Sequence, residues 1–288
     1  MDLLFFLEDL VPVELSYEHC DHPAATDLAN AGDQTAKGSL AILTLSRPGA
    51  RNAMAPEDWQ QLAAHLRCIE ADPEVRAVLL RGADGAFCAG GDLRSMPERL
   101  QWPVEVRQKQ LLRDGQVIQQ LYDLDRIVVA QIEGPCMGAG LSLALACDLR
   151  IASSTAQLGA VFHRVGLSGD FGLLWLLPRV VGPARAMQLL MEAEVLSSER
   201  AAALDLVHRV VAPAELSATV MTLCRQLVSG PQVAMAMTKR GLHRSSHSDL
   251  PTMLEWEAHA QSLLSKTADA KEGVTAFLEK RKPRFSSR

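Results

Sequence analysis

Two glycine-rich segments of the chain contain residue types that let backbone amides do chemistry. They read GAFCAGGDLRSM at residues 85–96 and GPCMGAG at residues 134–140. Glycine lets a backbone approach a ligand closely, and the start of a helix presents free N–H groups and the positive end of the helix dipole. Two such loops side by side could direct two N–H groups at one oxygen atom and form an oxyanion hole. Tight packing of a helix on a strand also requires glycine, and spacing alone slightly favours that structural explanation.

The elements around these segments must bring the two loops together. Apolar runs predict a strand over residues 77–82 before the first loop and another over 127–132 before the second, and each loop leads into a helix. In parallel α/β sheets, ligands bind at the carboxyl ends of the strands. The two loops therefore fall where a ligand site is expected.

The rest of the chain predicts an α/β core followed by a helical region. The first half alternates strands and helices, whereas from Phe171 onward the pattern is mostly helical, with Val207–Val211 as the single strand that interrupts it. Further strands are predicted at residues 13–19, 40–47, 149–153 and 156–162. The amphipathic helices of the last third either form an oligomer interface or cover the chain's own sheet, and the pattern does not choose between these.

Composition excludes several classes of function. The 288 residues have a formal net charge of -5, which gives no general attraction to nucleic acid. The longest apolar run, Pro135 to Ala146, is too short to cross a bilayer, and the start MDLLFFLEDL lacks the basic region of a signal peptide. Six scattered cysteines without a CxxC motif indicate reduced thiols in a cytoplasmic protein.

Other familiar motifs are absent or incomplete. The stretch HCDH at residues 19–22 contains metal-ligand residue types, but no second cluster of matching spacing accompanies it, so we predict a solvated loop and no metal site. No GxGxxG, GxxxxGK[ST], HExxH or GxSxG sequence occurs. Dinucleotide, P-loop, zincin and hydrolase-elbow chemistry therefore lack their signatures.

Four segments together resemble one known family. AFCAGGDLRSM and IEGPCMGAGLSLALACDLRIASSTAQLG resemble motifs of the enoyl-CoA hydratase/isomerase (crotonase) superfamily, LSRPGARNAM resembles its first signature, and EGVTAFLEKRKPRF resembles its C-terminal ending. The resemblance covers roughly residues 38–288 in the right order. It implies the α/β crotonase (ClpP/crotonase-like) fold of repeated ββα units, with a helical C-terminal trimerisation region. The implied domains are an N-terminal strand with a flexible insertion (1–37), the core (38–212) and the C-terminal helices (213–288).

The resemblance also implies roles for individual residues. The family's oxyanion-hole amides fall on Gly91 and Ala139, which would hold the thioester oxygen of an acyl-CoA and stabilise the enolate more than the ground state. Lys280 matches a family lysine that approaches the 3′-phosphate of coenzyme A, often that of a neighbouring subunit. Coenzyme A is part of the substrate, and no other cofactor is implied. The loops that would line coenzyme A contain Arg51, Ala53, Ala89, Asp92 and Leu93, of which Asp92 also suits a helix N-cap.

The chain departs from the hydratase pattern at the catalytic positions. A standard enoyl-CoA hydratase uses two glutamates, and their positions align here with Ser142 and Phe162. Asp170 matches an aspartate of the phenylacetate-pathway isomerases and of the 4-chlorobenzoyl-CoA dehalogenases. The dehalogenases also need a tryptophan where this chain has Phe162 and a histidine where it has Gly115, which disfavours dehalogenation.

Asp170 has two interpretations, and so does Ser142. Asp170 could cap the helix that begins near Phe171, or it could be the acid/base of an isomerase. In the second case, Phe162, Leu167 and Phe171 should remove water from the carboxyl group and raise its pKa above an ordinary value of ~3.9. Ser142 could orient substrate or water in the acyl pocket, or donate to a backbone carbonyl inside a buried helix.

Three functions follow from the sequence. The favoured one is an enoyl-CoA isomerase of fatty-acid or related acyl-CoA metabolism, with Asp170 moving the proton. The second is an enoyl-CoA hydratase, a lyase that would use Asp170 and an ordered water. The third, of another class, is a non-catalytic acyl-CoA-binding or scaffold protein. The expected partners are an acyl-CoA thioester and other copies of the chain in a homotrimer or a dimer of trimers, without nucleic acid or membrane.

Overall fold

A computed structural model describes residues 12–20 and 38–286 of the chain. The apolar start, most of the 20–39 insertion, and Asp21 and His22 of the HCDH stretch lie outside the described residues. In the part that is described, no helix combines the length and the apolar character needed to cross a membrane. Cys68, Cys88, Cys136, Cys147 and Cys224 are free thiols.

The described residues form nine strands in two sheets. The strands are β1 Val13–Cys20, β2 Gly38–Leu45, β3 Val75–Gly82, β4 Ile127–Ile132, β5 Pro135–Met137, β6 Leu149–Ser153, β7 Gln157–Gly159, β8 Val195–Ser197 and β9 Arg209–Val211. The large sheet has the order β1-β2-β3-β4-β6-β9, in which β1 and β2 are antiparallel and all other neighbours are parallel. The small sheet has the order β5-β7-β8.

Eleven α-helices connect and cover these strands in the described part of the chain. They are α1 Pro56–Ala71, α2 Met96–Arg99, α3 Val104–Asp123, α4 Ala139–Ala146, α5 Leu173–Val181, α6 Pro183–Glu192, α7 Ser198–Ala202, α8 Pro213–Val228, α9 Gln232–Ser245, α10 Leu250–Leu264 and α11 Ala268–Leu278. Pro at the first or second helical position starts α1, α6, α8 and α10, as its fixed φ favours.

Two consecutive units share one plan. In each, a strand of the large sheet (β4 or β6) runs into a short strand of the small sheet (β5 or β7), and a helix follows (α4 or α5). These are the ββα units that the resemblance implies. The second glycine loop, residues 134–140, lies in the first of these units, whereas the loop at residues 85–96 follows the carboxyl end of the neighbouring strand β3.

Two expectations about the strands are corrected. The strand predicted at 156–162 ends at Gly159, because its partner β5 ends opposite it at Met137 and a 3₁₀ turn, Val161–Val165, follows. Val207–Val211 is not the only strand in the helical part, since β8 also lies there and pairs with β7. Three residues are too few for strand periodicity to show in a sequence.

The large sheet is buried on both faces. Alternate residues of β2, β3 and β4, such as Leu40, Leu79 and Val129, pack against α8. The intervening residues join the larger core cluster with α1, α3, α4 and α5. Because successive strand side chains point to opposite faces, one apolar run serves both layers. The candidate site lies on the side of α1, α3, α4 and α5.

Candidate active site

Hydrogen bonds hold the two glycine loops side by side. Cys88 and Cys136 form a parallel bridge, in which the Cys88 amide donates to the Pro135 carbonyl at 2.9 Å and the Met137 amide donates to the Cys88 carbonyl at 2.9 Å. Gly140 has no room for a side chain, because a Cβ there would lie 2.4 Å from the Cys88 carbonyl oxygen. The structure therefore brings together the two loops that the sequence singled out.

The amide of Gly91 is left without a protein acceptor. Met54 bridges to Gly91 through two bonds, from the Met54 amide to the Gly90 carbonyl at 2.8 Å and from the Asp92 amide to the Met54 carbonyl at 2.9 Å. This parallel pattern leaves the N–H of Gly91 on the side away from Met54. Among the described residues it has no hydrogen-bond acceptor.

The amide of Ala139 is the second free donor. Ala139 is the first residue of α4, so its N–H has no partner inside the helix, and no other acceptor is found for it in the described parts of the chain. Gly138 before it has φ 52° and ψ -119°, a conformation that only glycine adopts readily. Gly91 and Ala139 line the same cavity. The arrangement can offer two N–H groups to one oxygen atom, as an oxyanion hole requires.

Asp170 lies in the wall of this cavity on a well-held turn. Its carbonyl oxygen accepts a bond from the Ser142 hydroxyl at 3.1 Å and another from the Leu173 amide at 3.0 Å. Phe171 follows in a left-handed conformation, with φ 49°, and its ring stacks on Trp59 at a centroid distance of 4.2 Å. Contacts on both sides thus fix the backbone that carries the carboxyl group.

Asp170 does not cap a helix. Helix α5 begins at Leu173, its N-cap is Gly172, and no side chain bonds to its first turn. The cap interpretation of Asp170 is therefore wrong. Its Oδ1 atom is buried and has no hydrogen-bond partner among the described residues. A buried, unpaired carboxylate oxygen is costly, and such groups are a feature of functional sites.

Burial raises the pKa of Asp170 to about 6 from a model-peptide value of 3.8. Loss of water around the carboxyl group is the largest cause, and the positive charge of Arg107 opposes it. Phe162, Leu167 and Phe171 line the cavity beside the carboxyl group, as the sequence led us to expect. The carboxyl group can therefore accept and return a proton near neutral pH.

Eight of the residues proposed from the sequence line this one cavity. They are Ala89, Gly91, Leu93, Ala139, Phe162, Leu167, Asp170 and Phe171. Five do not line it in the single chain: Arg51, Ala53, Asp92, Ser142 and Lys280.

Ser142 and Asp92 stabilise the backbone of the site without lining the cavity. Ser142 is fully buried in α4, and its hydroxyl donates to the Asp170 carbonyl. It therefore does not face the acyl pocket, which was one of its two interpretations. The Asp92 carboxylate accepts from the Arg94 amide at 3.0 Å and forms ion pairs with Arg94 and Arg47, which keep its pKa below the usual range. Asp92 thus caps the 3₁₀ turn Leu93–Ser95 and anchors the Gly91 loop.

Arg51 and Lys280, two other predicted coenzyme A contacts, lie outside the cavity lining. Arg51 is exposed, and its carbonyl accepts from the Ala89 amide at 2.9 Å, which joins the Arg51–Ala53 loop to the Gly91 loop. Lys280 is exposed just beyond the end of α11, with φ 57°. Lys280 does not line the cavity of its own chain.

The sequence analysis missed a polar wall of the cavity. Arg107, Gln110 and Asp114 line it from α3, and Arg99 lines it from the end of α2. The three α3 residues lie three to four positions apart and therefore share one helix face. That face continues into the apolar core at Val117 and Leu121. The sequence could have shown this wall, because residues at helical spacing along α3 form one face that is polar in its first half and apolar in its second.

No set of three histidine, cysteine or acidic side chains within residues 12–20 and 38–286 is arranged to hold a metal ion. The chemistry available at the site is that of two amide donors and titratable side chains.

Comparisons with known proteins identify the relatives of this chain. A sequence model of the family described as enoyl-CoA hydratase/isomerase matches residues 35–288. The short-chain-enoyl-CoA hydratase of Clostridium acetobutylicum is 35% identical over 247 residues, which cover 85% of this chain and 94% of that protein. The 1,2-epoxyphenylacetyl-CoA isomerase of Escherichia coli is 36% identical over 247 residues, with 85% and 94% covered.

Solved structures agree in fold. An enoyl-CoA hydratase from Polaromonas sp. JS666 superposes with a TM-score of 0.81 at 33% identity, covering 86% of this chain and 96% of that one. The expected fold is therefore confirmed. The relatives include both hydratases and isomerases.

Proposed function

The chain belongs to the enoyl-CoA hydratase/isomerase family and is an enzyme of that family, and from this premise we propose that it is an enoyl-CoA isomerase. The reaction moves a double bond between C3–C4 and C2–C3 of a bound thioester. One observation carries the proposal: the Asp170 carboxyl group, with its pKa raised to about 6, lines the same cavity as the free amides of Gly91 and Ala139. Ser142 and Phe162 occupy the positions where the resemblance places the two hydratase glutamates.

The proposed mechanism has two proton transfers. The amides of Gly91 and Ala139 donate to the thioester oxygen, and ionised Asp170 removes a proton from C2. The electrons of the C2–H bond form a C1–C2 double bond and leave negative charge on the thioester oxygen, where the two amides stabilise it. Asp170 then returns the proton to C4, where the electrons of the C3–C4 π bond form the new C4–H bond. The electrons of the C1–C2 double bond move to C2–C3, and those on the oxygen re-form the thioester carbonyl. No other reactant is consumed.

Water addition is the second candidate, and Asp114 is the observation that favours it. This second buried carboxyl group lines the cavity, and loss of water raises its pKa. A hydratase would need a group that activates water besides the one that exchanges a proton with carbon, and Asp170 and Asp114 could share these tasks.

The test compares matched 2-enoyl and 3-enoyl thioesters in D₂O. An isomerase converts the 3-enoyl thioester into the 2-enoyl isomer, with deuterium at C4 only where Asp170 exchanges its proton with solvent before returning it. A hydratase instead forms the 3-hydroxyacyl thioester with deuterium at C2. Asp170→Asn should lower turnover by about 10²-fold or more. Asp84→Asn, an equal charge change on an exposed turn, is the control. Full turnover in Asp170→Asn would refute the role of Asp170.

We further propose that the enzyme works in the cytoplasm, in keeping with its scattered cysteines and lack of a CxxC motif, on an acyl-CoA substrate and without another cofactor. We also propose assembly into a trimer or a dimer of trimers. This rests on the apolar residues that α10 and α11 leave exposed, among them Leu254, Leu263 and Phe277.

A further inference from the structure

A second cavity, distinct from the active-site cavity, lies among α3, the start of α5, and the end of α9 with the turn that follows it. Asp114 and Phe171 line the active-site cavity, whereas the next residue in each case, Gly115 or Gly172, lines the second cavity. The second cavity has a volume of about 420 Å³. Pockets that hold small molecules measure about 300–1,000 Å³, so this one is large enough for a ligand of its own.

The two glycines leave the cavity open. No atom lies within 4 Å of the position that a Cβ of Gly115 would occupy, and a Cβ of Gly172 would meet the Ile118 side chain at 3.4 Å. Glycine inside a helix is less favourable than alanine by about 1 kcal/mol, and no close contact requires it at position 115. The effect of Gly115 is therefore to keep one wall of the cavity free of a side chain.

Aromatic rings form much of the remaining wall. The rings of Tyr122 and Trp175 meet edge to face, with centroids 5.3 Å apart. The rings of Trp175 and His247 lie within 29° of parallel, with centroids 5.9 Å apart. Ile118 and Leu176, both buried, add the apolar part of the lining. Aromatic rings pack well against one another face to face with an offset or edge to face, so this lining suits a planar aromatic ring.

The polar side chains of this lining have unused hydrogen-bonding capacity. Within the described residues, the side chains of Gln119, Asp123 and His247 have no hydrogen-bond partner, and Asp123 forms no ion pair. All three are exposed, so they lie where the cavity meets solvent. The Arg179 guanidinium does not neutralise Asp123, because it lies 3.7 Å over the Trp175 ring and donates to the Trp175 carbonyl. The free carboxylate of Asp123 disfavours an anion and accepts strongly from an N–H group.

We propose that this second cavity binds a planar aromatic molecule that carries an N–H donor, of which indole is the simplest model. The ring packs against Tyr122, Trp175 and Ile118, and its N–H group donates to the Asp123 carboxylate. The site takes a ligand other than the acyl-CoA thioester, and its occupancy does not depend on which reaction the enzyme catalyses.

The test measures indole binding while the active site is filled. Hexanoyl-CoA has no double bond to move, so a saturating concentration of it occupies the active site without reacting. Calorimetry then compares indole with benzofuran, which has the same shape but an oxygen atom in place of the N–H group. We expect indole to bind about ten-fold more tightly than benzofuran to the wild type, because only indole can donate to the carboxylate.

Two variants and a matched control assign the binding to this cavity. Gly115→Leu should abolish binding of both compounds, since its side chain fills the open space without a clash. Asp123→Ala should lower the affinity for indole to that for benzofuran. Glu105→Ala, which removes an exposed acid at the opposite end of α3, should leave both affinities unchanged.

Several results would overturn the proposal. They are no saturable binding of indole, equal affinity of the wild type for indole and benzofuran, undiminished binding in Gly115→Leu, and displacement of indole by hexanoyl-CoA, which would place the ring in the active site. Thermal unfolding should show Gly115→Leu to be at least as stable as the wild type, because leucine forms helices more readily than glycine. If that variant is less stable, Asp123→Ala still decides, since its side chain is exposed.

Discussion

Asp170 is placed where a carboxyl group can serve as base and acid in one reaction. Its side chain has lost water, its Oδ1 atom has no partner among the described residues, and Arg107 limits the rise of its pKa to about 6. A carboxyl group with an ordinary pKa would be a weaker base at neutral pH, and one with a much higher pKa would seldom be ionised. The balance between burial and one distant cation therefore sets how the residue can work.

The pH dependence of kcat/KM should report the ionisation of Asp170. Only the ionised group can take the proton from C2, so kcat/KM should rise with pH and level off above about 6. The measurement is best made with a pantetheine thioester, which lacks the ionising phosphates of coenzyme A. A plateau that extends unchanged below pH 5, or a rise that continues beyond pH 7.5, would contradict the assignment.

The same residue should make the protein less stable at neutral pH. The folded-state pKa of about 6 exceeds the model value of 3.8, so between these values the folded state binds more protons than the unfolded state. Stability contributed by this group is therefore greatest at acid pH and falls as the pH rises through 6. The difference between pKa values of 3.8 and about 6 corresponds to at most about 3 kcal/mol of stability.

Asp170→Asn should therefore raise the free energy of unfolding at pH 8 by about 1–3 kcal/mol and change it little near pH 4. Chemical denaturation of both proteins at the two pH values measures the difference. Asp84→Asn is again the control, because its carboxylate is exposed in the folded state. An Asn variant that is less stable than the wild type at pH 8 would show that the carboxylate contributes favourable contacts.

At the scale of the element, the turn between β5 and α4 aims the second amide of the site. Gly138 holds a conformation that costs other residues of order 1–3 kcal/mol, while a Cβ there would meet only the Phe162 ring at 3.6 Å. Strain in the backbone, and not a steric clash, is thus the cost of a substitution. The strain can be relieved by turning the peptide unit that carries the Ala139 amide.

Gly138→Ala should lower kcat by about 10²-fold if Ala139 donates to the thioester oxygen, since loss of one such donor has an effect of that size. Gly182→Ala is a matched control. Gly182 has φ 77° and ψ 157°, nothing lies within 4 Å of its would-be Cβ, and it joins α5 to α6 away from the cavity. Both variants should lose similar stability, and only Gly138→Ala should lose turnover. An equal kcat in the two would exclude Ala139 as a donor.

The sequence was most informative where function depends on short, contiguous segments. The loops that contain Gly91 and Ala139 follow buried strands, so strand prediction and glycine patterns were enough to place both loops at one sheet edge. The resemblance then pointed to these two residues. Asp170 was found through the resemblance, because its own pattern favoured a helix cap.

The parts that escaped prediction depend on which way a side chain points. All eight residues of α4 are buried, so the helix has no polar face that would show Ser142 pointing at the Asp170 carbonyl and not into the acyl pocket. The polar wall of α3 was missed because its stripe of residues changes from polar to apolar along one helix. Such features depend on tertiary contacts, which a periodicity of 3.6 does not encode.

At the scale of the whole molecule, the last helices contribute little to the core of their own chain. Among the described residues, α10 buries Met253 and Ala260, and α11 buries Asp269 and Ala276. Phe277 and Leu278 at the end of α11 are 82% and 74% exposed. Apolar side chains this exposed and this close together are typical of an interface.

Phe277→Asp combined with Leu278→Asp should therefore break the assembly. Light scattering after size exclusion should give about 94 kDa for a wild-type trimer, three times the 31.3 kDa of one chain, or twice that for a dimer of trimers. The double variant should shift toward a single chain with unchanged circular dichroism, because both residues are exposed in the folded chain. Tyr17→Asp, at a half-exposed apolar site on β1, is the control.

Assembly should also matter for the affinity of the substrate. Lys280 lies two residues beyond Leu278. If it reaches the 3′-phosphate of coenzyme A bound to a neighbour, the dissociated variant should show a raised KM for the CoA thioester. The KM for the pantetheine thioester, which has no 3′-phosphate, should not change. Lys280→Met should produce the same selective rise in KM while the trimer stays intact.

A wild type that elutes as a single chain would refute the trimer. A Lys280→Met variant that raises both KM values equally would refute the phosphate contact.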